Sequence, residues 1–193
     1  TGVQTCALPI YGLLDYAVVS KTPVVLCTTG LSEEQLDKVE AASKHVAVLR
    51  SANMSIGINV ILKLLKEAVS RFAPEGFDVE IVEKHHNQKL DAPSGTAIAL
   101  ADAMNEEMNG MYEYVYDRSQ VRKKRGKKEL GISAVRGGNI VGEHDVIFAG
   151  TDEVITISHS AHSKAIFAKG AIAAAKYLAG RTPGLYDMSD VMA

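Results

Sequence analysis

The chain has 193 residues, enough for one large domain or two small ones, and its 47% apolar and 23% charged residues exclude a disordered or collagen-like polypeptide. Two cysteines, Cys6 and Cys27, are too few for a disulfide scaffold and suit a reducing compartment. The net charge of −2 hides a basic loop: residues 118–128 hold seven Lys and Arg and no acidic residue, leaving 14 basic against 23 acidic residues elsewhere. A nucleic-acid binder spreads positive charge over a whole face, so this loop reads as solvated and no nucleic-acid partner is expected. No uncharged apolar stretch approaches the roughly 20 residues that span a bilayer, and no secretory signal opens the chain. The expectation is a soluble cytoplasmic protein without a membrane partner.

In chain order, Tyr11 to Ser20 reads as the end of a helix and Thr22-Pro23 as a break. Val24 to Cys27 is wholly apolar, as suits a parallel strand covered on both faces. Ser32-Glu33-Glu34-Gln35 opens a helix with a capping-box pattern, and His45 to Leu49 is a second short strand. Strand, helix and strand in that order imply parallel pairing through a right-handed crossover. A long helix follows from about Gly57 to Phe72, ended by Ala73-Pro74-Glu75-Gly76, then a strand from Asp78 to Lys84. Thr96 to Met108 is a helix. Leu130 to Val135, Val141 to Phe148 and Glu153 to Ser158 are strands, with Gly137-Gly138-Asn139 read as a hairpin turn between the first two. Ser163 to Leu178 closes as an alanine-rich helix. The predicted fold is α/β: a partial doubly wound, Rossmann-like parallel unit, then an α/β domain with a mixed, mainly antiparallel sheet.

Chemistry concentrates at Glu83-Lys84-His85-His86-Asn87-Gln88-Lys89-Leu90-Asp91-Ala92-Pro93-Ser94-Gly95-Thr96-Ala97. Two imidazoles and a lysine leave a strand and run into a helix start bearing Ser94, Gly95 and Thr96. A helix N-terminus offers unpaired N–H groups and the positive end of a dipole, so it receives a carboxylate or phosphate. His85 and Lys89 would then stand over that anion as proton donors. Ser94 or Thr96 acting only as a cap, and adjacent histidines on a strand pointing to opposite faces, is the plain structural alternative.

The loops Cys27-Thr28-Thr29-Gly30 and Ser51-Ala52-Asn53-Met54 lie at the carboxyl ends of the first two strands, where doubly wound sheets bind ligands. They also read as ordinary turns, and Cys27 as a structural thiol. His159 and His162 have ligand-like spacing but no carboxylate or cysteine nearby, so no metal is expected. Tyr11, Tyr16 and the tyrosines of 111–116 read as packing residues.

These residues resemble the 4-hydroxy-tetrahydrodipicolinate (dihydrodipicolinate) reductase family of the diaminopimelate route to lysine. Glu83 to Ala97 matches its signature, E-x-H-H-x-x-K-x-D-A-P-S-G-T-A. Val24 to Ser32, Ala52 to Asn59, Arg136 to His144 and Gly184 to Val191 add to the match. The resemblance implies a cofactor domain at 1–55 and 164–193, and a substrate and oligomerisation domain at 56–163 that forms a homotetramer through its sheet. It implies NADPH or NADH as hydride source and a cyclic dicarboxylate as substrate. His85 then matches the acid/base histidine and Lys89 the proton-donating lysine. His86, Ser94, Gly95 and Thr96 match the carboxylate-binding groups. Cys27, Thr28 and Thr29, with Ser51, Ala52, Asn53 and Met54, match cofactor contacts. The family's opening strand and G-x-x-G-x-M-G loop find no counterpart, and residues 1–10 do not resemble it. The expectation is therefore a truncated form with impaired activity, the alternative being a non-catalytic oligomeric module that binds a dicarboxylate.

Overall fold

The computed structural model describes residues 8–28, 30–51, 53–120 and 122–192. Their elements run α1 (Leu8–Ser20), β1 (Val24–Leu26), α2 (Glu33–Ser43), β2 (Ala47–Arg50), α3 (Ile56–Phe72), β3 (Asp78–His85) and α4 (Gly95–Glu107). After these come β4 (Glu113–Tyr116), a 3-10 turn at Arg118–Gln120, β5 (Glu129–Arg136), β6 (Gly142–Ala149) and β7 (Val154–Ala161). The chain closes with α5 (Ala165–Leu178), β8 (Gly184–Tyr186) and α6 (Met188–Val191). Two compact units result: Thr1–Ile56 with Ala165–Ala193, and Gly57–Lys164.

In the first unit β1, β2 and β8 form a parallel sheet in that order, with Val25 opposite Leu49 and Val48 opposite Leu185. The strands are short and apolar because both faces are covered. Val48 packs on one side with Leu14, Ala17, Val39 and Ala42; Ala47 and Leu49 pack on the other with Met54, Ala174, Leu178 and Met188. The capping box is present: Ser32 Oγ accepts the Gln35 N–H at 3.3 Å and Gln35 Oε1 accepts the Ser32 N–H at 2.9 Å. Helix α5 approaches the loop after β2 so closely that a Cβ on Gly170 would overlap the Met54 carbonyl oxygen. Only glycine permits this contact. β8 and α6 escaped the sequence reading because each spans fewer than five residues, too few to show a period.

The second unit is a five-stranded sheet ordered β4-β5-β3-β6-β7. The expected hairpin at Gly137–Asn139 is not there. β3 lies between β5 and β6, parallel to the first and antiparallel to the second, with Ile81 facing Ile132 on one side and Val146 on the other. The glycine turn instead crosses the end of β3, its Gly137 N–H donating to the His85 carbonyl at 2.9 Å. A glycine pair between two strands marks the turn but not whether a third strand lies between them. The sheet is mixed, with a larger parallel share than expected, because β4–β5 and β3–β5 are parallel and β3–β6 and β6–β7 antiparallel. β4 comes from the tyrosine run read only as packing.

Leu65 and Val69 of α3, with Ala97, Leu100, Ala101 and Met104 of α4, share one apolar core with Val79, Ile81, Leu130, Ile132, Val146 and Phe148 of the sheet. The alternate residues point away, leaving Val154, Thr156, Ser158 and Ser160 of β7 exposed. The basic loop is only partly solvated. Arg125 pairs with Asp78 and Glu80, both at 2.8 Å, and Arg118 pairs with Glu129, which pins the loop to the starts of β3 and β5.

On the covered face of β6, His144 is 4% exposed and stands in register with His159 of β7. Burial, reinforced by neighbouring His85, pushes its imidazole down from 6.5 to about 4. Between those values the unfolded chain binds a proton that the folded chain refuses. Stability therefore falls as pH drops from 6.5 towards 4 and is fully retained above 6.5. Urea unfolding at pH 7 and pH 4.5 is expected to show this as a loss of about 2–3 kcal/mol. The loss should shrink by that amount in His144→Asn, and an undiminished loss would place the pH dependence elsewhere. Gly170→Ala is expected to cost about 1–3 kcal/mol in the same assay, from forced displacement of the Met54 backbone; no loss would contradict the close approach.

Candidate active site

β3 alternates half-buried and buried residues, with Val79, Ile81, Glu83 and His85 facing the core. Two-residue periodicity thus places a carboxylate and an imidazole where the strand otherwise buries aliphatic groups. The Glu83 side chain is 0% exposed. Its Oε1 accepts from Arg136 Nη2 at 2.7 Å and from the Ser94 N–H at 2.9 Å; its Oε2 accepts from Arg136 Nη1 and His85 Nδ1, both at 2.7 Å. Burial pushes this carboxyl up, but the hydrogen bonds from Arg136, His85 and Ser94 outweigh it and hold Glu83 below the ordinary value. An unpartnered carboxylate here would cost several kcal/mol, so all four donors are needed together. Arg136 also donates to the Asp91 carbonyl at 2.7 Å, tying the loop between β3 and α4 to the end of β5.

The hydrogen bond to an ionised carboxylate places a proton on His85 Nδ1. The other ring nitrogen, Nε2, lies where a Cβ on Gly142 would come within 3.0 Å, so that glycine keeps the space beside it clear. His144 packs edge-on to His85 at 5.2 Å between ring centroids, and its Nε2 is 2.9 Å from Ser94 Oγ. Ser94 caps α4 by accepting the Ala97 N–H at 3.1 Å. His144 therefore touches both the imidazole and the helix start.

Lys89 Nζ meets Asp91 Oδ1 at 2.8 Å. The Asp91 carboxyl also accepts from the Gly95 N–H at the start of α4. Partial burial pushes Asp91 up, yet the Lys89 hydrogen bond and these backbone donors hold it below the ordinary carboxylate value. The lysine and the helix start together already hold a carboxylate, one supplied by the chain itself. His86 lies just beyond β3, half-buried, its carbonyl accepting the Lys89 N–H at 3.2 Å; Gly95 is exposed and Thr96 half-buried. One strand–loop–helix passage of the second unit thus carries His85, His86, Lys89, Ser94, Gly95 and Thr96.

The expected cofactor contacts lie in the first unit. β1 and β2 end side by side, Leu26 opposite Arg50, so both following loops open at the carboxyl end of the sheet. Thr28 is half-buried, Met54 buried, and Ser51 and Asn53 half-buried. Ser51 Oγ donates to the Asn53 carbonyl at 3.1 Å, and Asn53 Oδ1 accepts the Ser55 N–H at 2.8 Å. Thr29 and Ala52 lie outside the described residues. Cys27 is not the packed structural thiol of the sequence reading: β1 ends at Leu26 and the cysteine is exposed. Among the described residues no group of three or more His, Cys, Asp or Glu is placed to hold a metal ion. Nor is any helix among them long and apolar enough to cross a membrane.

Four residues escaped selection from the sequence: Glu83, Asp91, Arg136 and His144. For Glu83 a signal existed, since two residues before His85 on a strand means the same face. Arg136 and His144 reach the site only through the β5-β3-β6 order, which the hairpin expectation had wrong.

The family model for dihydrodipicolinate reductase, C-terminus, matches residues 57–192, and that for its N-terminus matches residues 5–54, starting earlier than the motifs indicated. A 4-hydroxy-tetrahydrodipicolinate reductase of Caldanaerobacter subterraneus subsp. tengcongensis is 58% identical over 183 residues, 95% of this chain and 72% of that protein. The enzyme of the same name from Clostridium tetani is 52% identical over 91% of this chain and 68% of its own length. Among solved structures, dipicolinate-bound dihydrodipicolinate reductase from Paenisporosarcina sp. TG-14 shares the fold, with a TM-score of 0.75 at 23% identity, covering 95% of this chain and 69% of that one. With both family models matched and such relatives over nearly its whole length, the chain belongs to the dihydrodipicolinate reductases, a family of oxidoreductases that use a nicotinamide cofactor.

Proposed function

We propose that this chain binds the cyclic dicarboxylate 4-hydroxy-tetrahydrodipicolinate at the start of α4 and reduces it, with NADPH or NADH, to tetrahydrodipicolinate in the diaminopimelate route to lysine. The observation that carries this reading is the carboxylate held between Lys89 and the α4 N-terminus. The position of Asp91 supports this reading, since a cation, backbone N–H donors and the positive end of a helix dipole surround its carboxylate. A substrate carboxylate has the same needs and would take over the same donors, with His86, Ser94 and Thr96 at hand.

The paired strand ends of the first unit fit the nicotinamide end of a dinucleotide, since Cys27, Thr28, Ser51, Asn53 and Met54 follow the carboxyl ends of two parallel strands. When bound there, the cofactor supplies a hydride. This chain's residues supply the proton that lets the substrate hydroxyl leave as water. Lys89 Nζ is one donor; His85 exchanges its proton at Nε2, because Nδ1 is committed to Glu83, and donates there once Nε2 has taken up a proton. Both groups also offset negative charge as it develops on the substrate.

Two further parts of the proposal concern assembly and location. A homotetramer built through the sheet of the second unit is part of the same proposal, with Val154, Thr156, Ser158 and Ser160 of β7 exposed on its outer face. The reaction is proposed to run in the cytoplasm, as suits a biosynthetic reductase with such relatives.

Calorimetric titration with dipicolinate separates these claims. Lys89→Ala is expected to weaken binding about 10–100-fold, the worth of one charge-assisted hydrogen bond, and to lower any turnover by about 10²-fold or more. Unchanged affinity and rate would remove Lys89 from the site. Light scattering should report a particle of four chains; a monomer at micromolar concentration would contradict assembly through the sheet.

A further inference from the structure

We infer that Glu83 is the positioning residue of the site: its buried carboxylate sets the His85 tautomer and fixes the geometry between that imidazole and the start of α4. The inference rests on the proposed role of His85 and extends it to a residue that touches no substrate. Three elements converge on this one carboxylate. β3 contributes His85, the end of β5 contributes Arg136, and the α4 cap contributes the Ser94 N–H. Each oxygen takes two donors, so the group has no spare capacity and a single orientation.

Two consequences follow from the chemistry of the donors. His85 Nδ1, 2.7 Å from an anionic oxygen, carries a hydrogen, which leaves Nε2 to exchange a proton beside Gly142. Arg136, held by both Glu83 oxygens, keeps a hydrogen left over for the Asp91 carbonyl, so the loop bearing Lys89 and Asp91 is tied to the same carboxylate. A neutral amide in place of Glu83 cannot repeat this arrangement. Its oxygen can serve only one side of the network, while its NH2 group would face Arg136 together with either His85 Nδ1–H or the Ser94 N–H. An aliphatic side chain would preserve volume and lose everything else.

The test uses the 193-residue chain and reads the imidazole directly. Long-range 1H–15N correlation spectra, with His85 assigned by its loss in His85→Asn, should show the wild-type ring protonated on Nδ1. A wild-type His85 carrying its proton on Nε2 alone would overturn the inference without any variant being needed. In Glu83→Gln the second tautomer should become populated and dipicolinate affinity should fall tenfold or more, while the thermal midpoint identifies whether the variant remains folded. A folded Glu83→Gln with the wild-type ring spectrum and undiminished affinity would also overturn it. Should Glu83→Gln fail to fold, Arg136→Lys keeps the carboxylate and should leave the His85 ring spectrum unchanged; a shifted tautomer there would assign the orientation to Arg136 instead. Failure of wild-type chain to bind dipicolinate would sink the proposed function alone, because the tautomer is read without ligand.

Discussion

A carboxylate sealed in the core of a sheet imposes its demands on everything around it. Glu83 sits in line with Val79 and Ile81, where the alternation of β3 would bury another aliphatic side chain. Desolvating that charge is tolerable only because four donors surround it, two from Arg136 and one each from His85 and Ser94. Each donor belongs to a piece of backbone that must therefore stay in place. β5 must run parallel to β3 with its end at Arg136, and the chain leaving β3 must return so that α4 starts above the same strand.

The site's chemistry is organised by those restraints. An imidazole with one nitrogen committed presents the other in a fixed direction. A helix start held at its cap residue presents N–H groups and a dipole to the same region, and Lys89 completes a pocket for negative charge. His144, kept neutral by burial, bridges the imidazole and the cap without adding a competing cation. Positions set by packing and hydrogen bonds rather than by the ligand spare the entropy of assembling the site at each encounter.

Much of this was legible in the sequence, and for physical reasons. Periodicity exposed the long helices α3 and α4, and apolar runs exposed β1 and β2, because burial on one face or two leaves a pattern. The capping box at Ser32 was readable since its donors and acceptors lie three residues apart. The motif from Glu83 to Ala97 was readable because its functional groups are local. What escaped was non-local. The Gly137–Asn139 turn reads as a hairpin unless one knows that β3 inserts between β5 and β6, and that insertion alone brings Arg136 and His144 to Glu83. β8 is too short to carry a period, and β4 was hidden in a run of tyrosines that suggested only bulk. Cys27 was placed inside a strand whose end falls one residue earlier.

Membership of the dihydrodipicolinate reductases accounts for the motif, while the hydrogen bonds account for why its residues stand where they do. The most direct measurement is a crystal structure of the 193-residue chain soaked with dipicolinate. A ligand carboxylate should lie within hydrogen-bond distance of Lys89 Nζ and of the N–H groups opening α4, with Asp91 displaced from the lysine. Dipicolinate bound elsewhere, with the Lys89–Asp91 pair intact, would contradict the assignment of this site.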